Sequence, residues 1–164
     1  DGFVHHDISR HHDYVDVAHD LNVYPWPWED NSFDYVEMGD VIEHLRSNVT
    51  AVMDELWRII APGGWLYLVT VEEGDWKRIE DPTHVKGFHL TSFDYYDPTT
   101  PWGKQYGCYT DRMWKIHKRT AVDGQIAVVM TPLKDEAQHP GMHTNGHIEK
   151  LLTIKMRATE EAPA

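Results

Sequence analysis

The sequence predicts an α/β protein with a mostly parallel sheet and an antiparallel hairpin towards its C-terminal side. Three apolar runs, "GFVHHDI", "YVDVAHDL" and "FDYVEMGDVI", each close on or beside acidic residues and are separated by turn-prone segments. A helix-like stretch, a Pro-Gly-Gly sequence and the apolar run "WLYLVTV" follow the third run. A strand–helix–strand unit of this kind joins parallel strands, so these observations together favour a parallel sheet.

The helix is indicated by the spacing of apolar residues between positions 48 and 61. Ser47 or Asn48 is expected to cap its first turn, and Pro62-Gly63-Gly64 to end it, because proline cannot continue a helix. The run 65–71 is apolar at nearly every position and predicts a strand buried on both faces. One buried helical face is predicted from residues that recur at spacings of three and four: Val49, Val52, Met53, Leu56, Ile59 and Ile60.

Residues 74–114 differ in character from the segments on either side. They are aromatic, polar and rich in turns, which predicts an insertion or lid on the substrate side, with a short helical candidate at 91–96. The aromatic residues from Phe93 to Trp114 either wall a pocket for an apolar or sugar-like ligand or form an ordinary core.

A hairpin is predicted after this segment, from strands at 115–122 and 125–133 around Asp123-Gly124. Residues 147–158 predict a last edge strand or short helix, and 159–164 a frayed tail. The sequence therefore predicts a single domain over residues 1–158.

Composition and charge limit the possible partners. The chain has 164 residues, 41% of them hydrophobic, and a formal charge of −12. Such an acidic surface repels phosphate groups, so neither nucleic acid nor an anionic membrane is expected as a partner. No apolar run approaches the roughly 20 residues of a membrane-spanning helix. Cys108 is the single cysteine, which favours a reducing compartment, and a cytoplasmic protein is expected.

Candidate binding residues follow the apolar runs. Asp7, Asp20 and the segment Met38-Gly39-Asp40 all stand where a strand is expected to end. In open parallel sheets, ligands bind beyond the carboxyl ends of the strands, and an acidic residue there can accept hydrogen bonds from ribose hydroxyls. Gly39 would let backbone approach a ligand closely. The alternative for each aspartate alone is that it caps a turn.

In these motifs the chain resembles the class I S-adenosylmethionine-dependent methyltransferases, specifically the methyltransferase domain 11 type. The resemblance lies in "HDLNVYPWPWEDNSFDYVEMGDVIEHL" and "ELWRIIAPGGWLYLVTV", and it covers about residues 2–73. It implies a Rossmann-like methyltransferase sheet and S-adenosylmethionine as cofactor. The implied cofactor-binding residues are Asp7 and Ile8 at the ribose, Asp20 and Leu21 at the adenine, and Met38 and Gly39 along the methionine part.

The "PWPW" loop lies between the implied adenine site and the third apolar run. Its prolines stiffen an exposed loop. Trp26 or Trp28 would then either cover the edge of the adenine pocket or pack on the edge of the sheet.

The family's first strand and glycine-rich loop would stand just before residue 2, and this sequence begins at Asp1. We expect the chain to be a piece of a longer gene product. The alternatives are that another subunit fills the position, or that cofactor binding has been lost. Without that loop, activity of this chain alone is not expected to be strong, since its backbone amides would approach the cofactor.

Candidate catalytic residues follow the third and fourth runs. Asp81 and His84 of "DPTHV" could form an oriented base, the carboxylate fixing the imidazole tautomer. His44, in the Glu43-His44 pair that the resemblance picks out, is a further candidate. The alternatives are an Asp-Pro turn with a surface histidine at 81–84, and a capping role for Glu43 and His44. The methyl acceptor is expected to be a small molecule.

Two other classes of protein stay open. The clusters "HHDISRHHD" (5–13) and "HPGMHTNGH" (139–147) could suggest a metal-binding protein, but neighbouring histidines on a strand point to opposite faces and no HExxH or paired-cysteine motif occurs. We therefore predict no metal ligands. The other class is an inactive methyltransferase-like subunit that serves in assembly, with a homo-oligomer covering the unpaired part of the sheet.

Overall fold

The computed structural model describes residues 3–134. Two very short strands come first, then a longer strand, a helix and a second long strand. A segment of short helices and a hairpin complete the described chain. In order the elements are β1 (His6–Asp7), β2 (Val17–Ala18), β3 (Phe33–Gly39), α1 (Val49–Ile59), β4 (Ile60–Val71), α2 (Lys77–Glu80), a 3₁₀ helix (Asp94–Tyr96), α3 (Pro101–Tyr106), a second 3₁₀ helix (Gly107–Tyr109), β5 (Trp114–Val122) and β6 (Gln125–Pro132).

The main sheet has four strands in the order β3-β4-β6-β5, and β1 and β2 form a separate pair. β3 runs parallel to β4 and β1 parallel to β2, whereas β6 is antiparallel to both of its neighbours. The α/β class and the C-terminal hairpin are therefore confirmed. Among residues 3–134, two strand pairs are parallel and two are antiparallel, so the strands are not mostly parallel. This is because β1 and β2 pair with each other and do not extend the parallel part of the main sheet.

The apolar runs extend beyond the strands they form. The first run was expected to be extended over 2–8 and the second over 14–21, but only two residues of each lie in a strand. The third run pairs as far as Gly39, where Asp40 takes a positive φ of 52° that ends the strand. Val41, Ile42 and Leu45 continue the apolar pattern as a turn that packs on the main core.

Helix α1 begins as expected, at Asn48, whose side-chain oxygen accepts a hydrogen bond from the Thr50 backbone N–H at 2.8 Å. It ends at Ile59, before the Pro-Gly-Gly sequence that was expected to end it. Residues 62–64 instead lie inside β4, where the register jumps from Phe33↔Ile60 to Tyr35↔Trp65. The prediction was wrong here because a β-bulge accommodates glycine as readily as a turn does.

The sheet and α1 enclose the main core. The helix buries Val52, Met53 and Leu56 completely, against Leu66 and Leu68 of β4. A smaller cluster around Tyr67, Val69 and Val129 covers the other face of the sheet. β4 is therefore buried on both faces, as its apolar sequence predicted. No helix in the described range 3–134 is long and apolar enough to span a membrane.

The hairpin is as predicted. Asp123 and Gly124 have φ values of 51° and 74°, the left-handed pair that a tight turn between twisted strands requires. Of the helical candidate 91–96, only Asp94–Tyr96 is helical, as a 3₁₀ turn. The predictions for 139–147, 147–158 and the tail at 159–164 lie outside the described residues.

The segment 74–114 is anchored to the main domain. Phe93, Tyr96 and Trp114 are buried in the main core. Of the two roles left open by the sequence, a pocket wall or an ordinary core, these three residues have the second. The carboxylate of Asp97, itself 1% exposed, accepts a hydrogen bond from the Ile116 backbone N–H of β5 at 2.8 Å. The part of this segment from residue 93 onwards therefore packs as part of the domain.

Candidate functional site

The first part of the candidate site lies where β1 and β2 end. Asp7 is the last residue of β1, and its carboxylate accepts a hydrogen bond from the Ser9 N–H at 3.0 Å. Asp20 follows β2 by two residues and accepts from the backbone N–H and the side-chain amide of Asn22, both at 2.9 Å. These hydrogen bonds hold the pKa of Asp20 below its usual value. Because β1 and β2 are parallel, both carboxylates lie at the same end of the pair.

Asn22 joins this end to the segment that follows β3. Its side-chain oxygen accepts hydrogen bonds from the backbone N–H groups of Arg46 at 2.8 Å and Ser47 at 3.2 Å. The residues after β2 therefore lie against those after the carboxyl end of β3. We call this side of the molecule the carboxyl edge.

The six predicted cofactor-binding residues differ in exposure. Leu21 and Met38 are each 6% exposed and belong to the main core, whereas the Ile8 side chain is 68% exposed. Asp7, Asp20 and Gly39 are partly buried. Asn22 ties the segment that follows β2, with Asp20 and Leu21, to Arg46 and Ser47, and the pairing of β1 with β2 places Asp7 at the same end as Asp20. Their contact with a cofactor stays a prediction.

The "PWPW" loop is held by α1. Trp26 is 3% exposed, its indole N–H donates to the Leu21 carbonyl at 3.1 Å, and its backbone N–H donates to Glu55 at 2.8 Å. Arg58 donates to the Trp26 carbonyl at 3.1 Å and to the Trp28 carbonyl at 2.7 Å. Trp26 is thus a core residue that supports the backbone of the predicted adenine segment, which is the packing alternative.

A buried ion pair underlies this loop. Arg58 donates two hydrogen bonds to the Glu55 carboxylate, at 2.9 and 2.8 Å. Burial raises the pKa of Glu55, but the hydrogen bonds from Arg58 and from the Trp26 N–H outweigh it and lower this pKa below 4.5. The hydrogen bonds that Arg58 donates to Glu55, and then the one to Asp30, raise the pKa of Arg58. Both groups are therefore ionised at neutral pH.

The predicted catalytic residues come together around a buried acid. The rings of His44 and His84 have centroids 4.6 Å apart. The His84 Nε2 lies 4.0 Å from an Asp81 carboxylate oxygen, a distance beyond hydrogen-bonding range. Glu43 joins them: one ligand atom from each of Glu43, His44 and His84 lies within 4.8 Å of the others. We call these three residues the Glu43 cluster.

Glu43 was not among the predicted catalytic residues. It is fully buried, its Oε2 accepts a hydrogen bond from Thr70 at 3.0 Å, and its Oε1 has no hydrogen-bond partner. Burial raises the pKa of this carboxyl group. The signal in the sequence is an acid inside the apolar stretch "VIEHL", where a solvated side chain is not expected.

The Glu43 cluster also lies at the carboxyl edge. Glu43 follows Gly39 by four residues, and Thr70 stands near the carboxyl end of β4. The Glu43 carbonyl accepts hydrogen bonds from the backbone N–H groups of Val85 at 2.9 Å and Lys86 at 3.3 Å. Two loops are thereby tied together beside the predicted methionine segment.

The N-terminal histidines do not form a comparable group. His5 lies beside Asp16 at 3.4 Å, His6 is within 2.8 Å of the His19 carbonyl, and His12 stacks on Tyr14. Among residues 3–134, the three side chains close enough together to share a metal ion are those of the Glu43 cluster.

Two other surface features lie apart from the Glu43 cluster. Aromatic rings of Tyr95, Trp102, Tyr106 and Tyr109 stack on one another. A cavity lined by Trp57, Arg58, Lys134 and neighbouring residues lies near the amino ends of β3 and β4, and none of the predicted site residues lines it.

Part of the chain matches a known protein family, and its fold is similar to that of a solved structure. Residues 7–68 match the family described as "Methyltransferase domain". The PH0226 protein from Pyrococcus horikoshii has a similar structure, with a TM-score of 0.51 and 18% identity, over 80% of this chain and 72% of that one. No curated protein matches this chain.

Two further solved structures match less closely. A protein from Sulfolobus solfataricus whose name assigns it to the type 11 methyltransferases gives a TM-score of 0.44 at 16% identity, over 71% of this chain. The YcgJ protein from Bacillus subtilis gives 0.41 at 18% identity, over 60% of this chain. This chain spans 60% of the length of the first and 42% of the second.

The fold is thus a Rossmann-like α/β sheet whose candidate ligand residues follow the carboxyl ends of its strands. Residues 7–68 match the methyltransferase domain family, as the resemblance found in the sequence predicted, and the fold is similar to that of the PH0226 protein.

Proposed function

We propose that this protein transfers a methyl group from S-adenosylmethionine to a small-molecule acceptor bound beside the Glu43 cluster. The observation that carries the proposal is the carboxyl edge itself. The carboxyl edge carries Asp7 and Asp20, which follow parallel strands, and Gly39 at the end of β3. The Glu43 cluster lies at the same edge. The family match over residues 7–68 supplies the chemistry that this arrangement supports.

The residues at the edge fit the proposed cofactor. Asp7 and Asp20 supply carboxylate oxygens, which accept hydrogen bonds from ribose hydroxyls and from the adenine amino group. Buried Leu21 and Met38 supply an apolar floor, and Gly39 has no side chain to block a ligand. When bound, the cofactor supplies an electrophilic methyl group on its sulfonium sulfur.

The Glu43 cluster would act on the acceptor. Methyl transfer requires a nucleophilic atom held in line, and a base only when that atom carries a proton at neutral pH. His44 and His84 can receive such a proton. Asp81 accepts a hydrogen bond from Thr83 at 2.6 Å, and its other carboxylate oxygen lies 4.0 Å from the His84 Nε2. Tying Glu43 to residues 85–86 fixes the loops that carry both histidines.

The cofactor assignment can be tested by two-dimensional amide NMR during titration with S-adenosylhomocysteine to millimolar concentrations, where weak binding is also seen. We expect the largest shifts at Ile8, Leu21 and Gly39. Asp7→Ala should weaken binding by roughly 10- to 100-fold, since a hydrogen bond to a charged group contributes about 1.5–3 kcal/mol. Asp13→Ala, which removes an exposed acid from the same segment, should bind as the wild type does.

Two results would contradict the proposal. One is the absence of shifts at millimolar ligand, which would favour a methyltransferase-like subunit used in assembly. The other is equal weakening by Asp7→Ala and Asp13→Ala, which would show that the effect is one of net charge alone.

A further inference from the structure

We propose that Glu43, His44 and His84 together bind one divalent transition-metal ion, with Zn²⁺ as the probe. The first observation is an unsatisfied buried acid. The Glu43 Oε1 has no hydrogen-bond partner although the residue is fully buried, and the His84 Nδ1 is buried and without a partner as well. Leaving a buried polar atom unpaired is costly, and a cation between these two atoms would satisfy both.

The second observation is that the hydrogen bonds of His44 leave one of its nitrogens available. Thr83 donates its hydroxyl proton to Asp81 at 2.6 Å, so its oxygen can only accept from the His44 Nδ1, at 2.9 Å. His44 must then carry its proton on Nδ1, which leaves a lone pair on Nε2. A carboxylate that orients a ligating histidine through its other nitrogen is the usual outer support of a metal site.

The third observation is the rigidity of the set. The Glu43 carbonyl is bonded to the backbone N–H groups of Val85 and Lys86, directly after His84, and Thr70 on β4 holds the second oxygen of the Glu43 carboxylate. The ligand-bearing atoms are therefore positioned by backbone and sheet. They lie within 4.8 Å of one another, whereas the ligands of a tetrahedral ion with bonds of about 2.0–2.2 Å are roughly 3.3–3.6 Å apart, so side-chain adjustments of about 1 Å would close the site.

The ligand types indicate which ion is bound. Two imidazoles and one carboxylate suit Zn²⁺, Fe²⁺ or Mn²⁺ better than Ca²⁺ or Mg²⁺, which take mostly oxygen ligands. Three protein ligands leave coordination positions open for water or an acceptor oxygen. This last role rests on the proposed function, because it places the ion where the methyl acceptor would bind, and it replaces the proton-accepting role of His44 and His84, since a histidine that ligates an ion has no free lone pair. Metal binding itself does not depend on it.

The test is calorimetric titration of the chelator-treated full chain with Zn²⁺, with the visible absorption of the Co²⁺ form as a second readout. We expect one site whose affinity falls at least about 10-fold in each of His44→Ala, His84→Ala and Glu43→Gln. Glu43→Gln keeps the volume of the buried side chain and therefore tests the ligand without opening a cavity. His89→Ala and His12→Ala, which remove exposed histidines, are the matched controls.

Thr83→Val tests the positioning of His44. It should weaken Zn²⁺ binding and change the Co²⁺ spectrum while both histidines remain in place. The proposal is overturned if the ligand variants and the controls bind Zn²⁺ alike, or if only His12→Ala loses affinity. Because S-adenosylhomocysteine binding is followed separately by NMR, a failure of the metal site is distinguishable from a failure of the proposed function.

Discussion

Glu55→Ala is expected to lower the free energy of unfolding by about 3–5 kcal/mol, the usual cost of leaving one partner of a buried ion pair without the other. The Arg58 side chain is 16% exposed and that of Glu55 11%, so water cannot replace the lost carboxylate well. The Trp26 backbone N–H would lose its acceptor in the same change. The loop that carries Trp26 and Trp28 should then come away from α1.

This loss is measured by urea unfolding followed through tryptophan fluorescence. Asp30→Ala is the matched control, because Asp30 also contacts Arg58 at 2.9 Å but its side chain is 72% exposed. It should cost at most about 1 kcal/mol, as exposed ion pairs do. Equal losses for the two variants would show that the Glu55–Arg58 pair gains nothing from burial.

Because Glu55 is paired in the folded protein, we expect the free energy of unfolding to depend on pH. The folded pKa of Glu55 lies below 4.5, its ordinary value, so its stabilising contribution is fully present above pH 4.5 and is lost as pH falls through the folded pKa. Below pH 4.5 the wild type should therefore lose stability more steeply than Glu55→Gln. Unfolding midpoints measured between pH 3 and pH 7 for both proteins give the comparison, and parallel curves would contradict it.

Gly103→Ala is expected to destabilise the protein by about 3 kcal/mol, at the upper end of the usual cost of overpacking. A Cβ on Gly103 would lie 1.9 Å from the Asp97 carbonyl oxygen and 3.0 Å from that of Asp94. Both are backbone atoms and cannot turn aside, so α3 would have to move away from the 3₁₀ helix before it. Asp97 would then be pulled from its hydrogen bond with Ile116 of β5.

Thermal unfolding monitored by circular dichroism measures this effect. Lys104→Ala changes the next, exposed residue of the same helix, and alanine there should be neutral or slightly stabilising. A Gly103→Ala protein that melts with the wild type would mean that α3 does not pack closely on the preceding turn.

Local patterns predicted much of the fold. The helix start at Asn48, the buried strand after α1 and the Asp123-Gly124 hairpin all depend on residues close together in sequence. The register jump at residues 62–64 could not be predicted in this way. It depends on the approach of β4 to β3, where a Cβ on Gly64 would lie 2.9 Å from the Asp34 carbonyl oxygen.

The candidate site was predictable only in part. The acidic residues after the apolar runs could be found from their positions, because the carboxyl ends of parallel strands share one side of a sheet. The pairing of His44 with His84 spans forty positions of sequence and depends on the backbone contact between Glu43 and Val85. Glu43 is buried beside Thr70 of β4 and residues 85–86, which are distant in the sequence, so no local pattern specifies its burial.

The tripeptide "DLN" at residues 20–22 behaves as one unit for a chemical reason. A carboxamide both donates and accepts, and Asn22 uses its NH₂ group on Asp20 while its oxygen receives two peptide N–H groups. Aspartate at this position would set two negative charges against each other, and serine is too short to span the gap. Asn22, the third residue of the motif, therefore links the Asp20 carboxylate to the backbone of residues 46–47. The usual preferences of asparagine for turns would not predict this link.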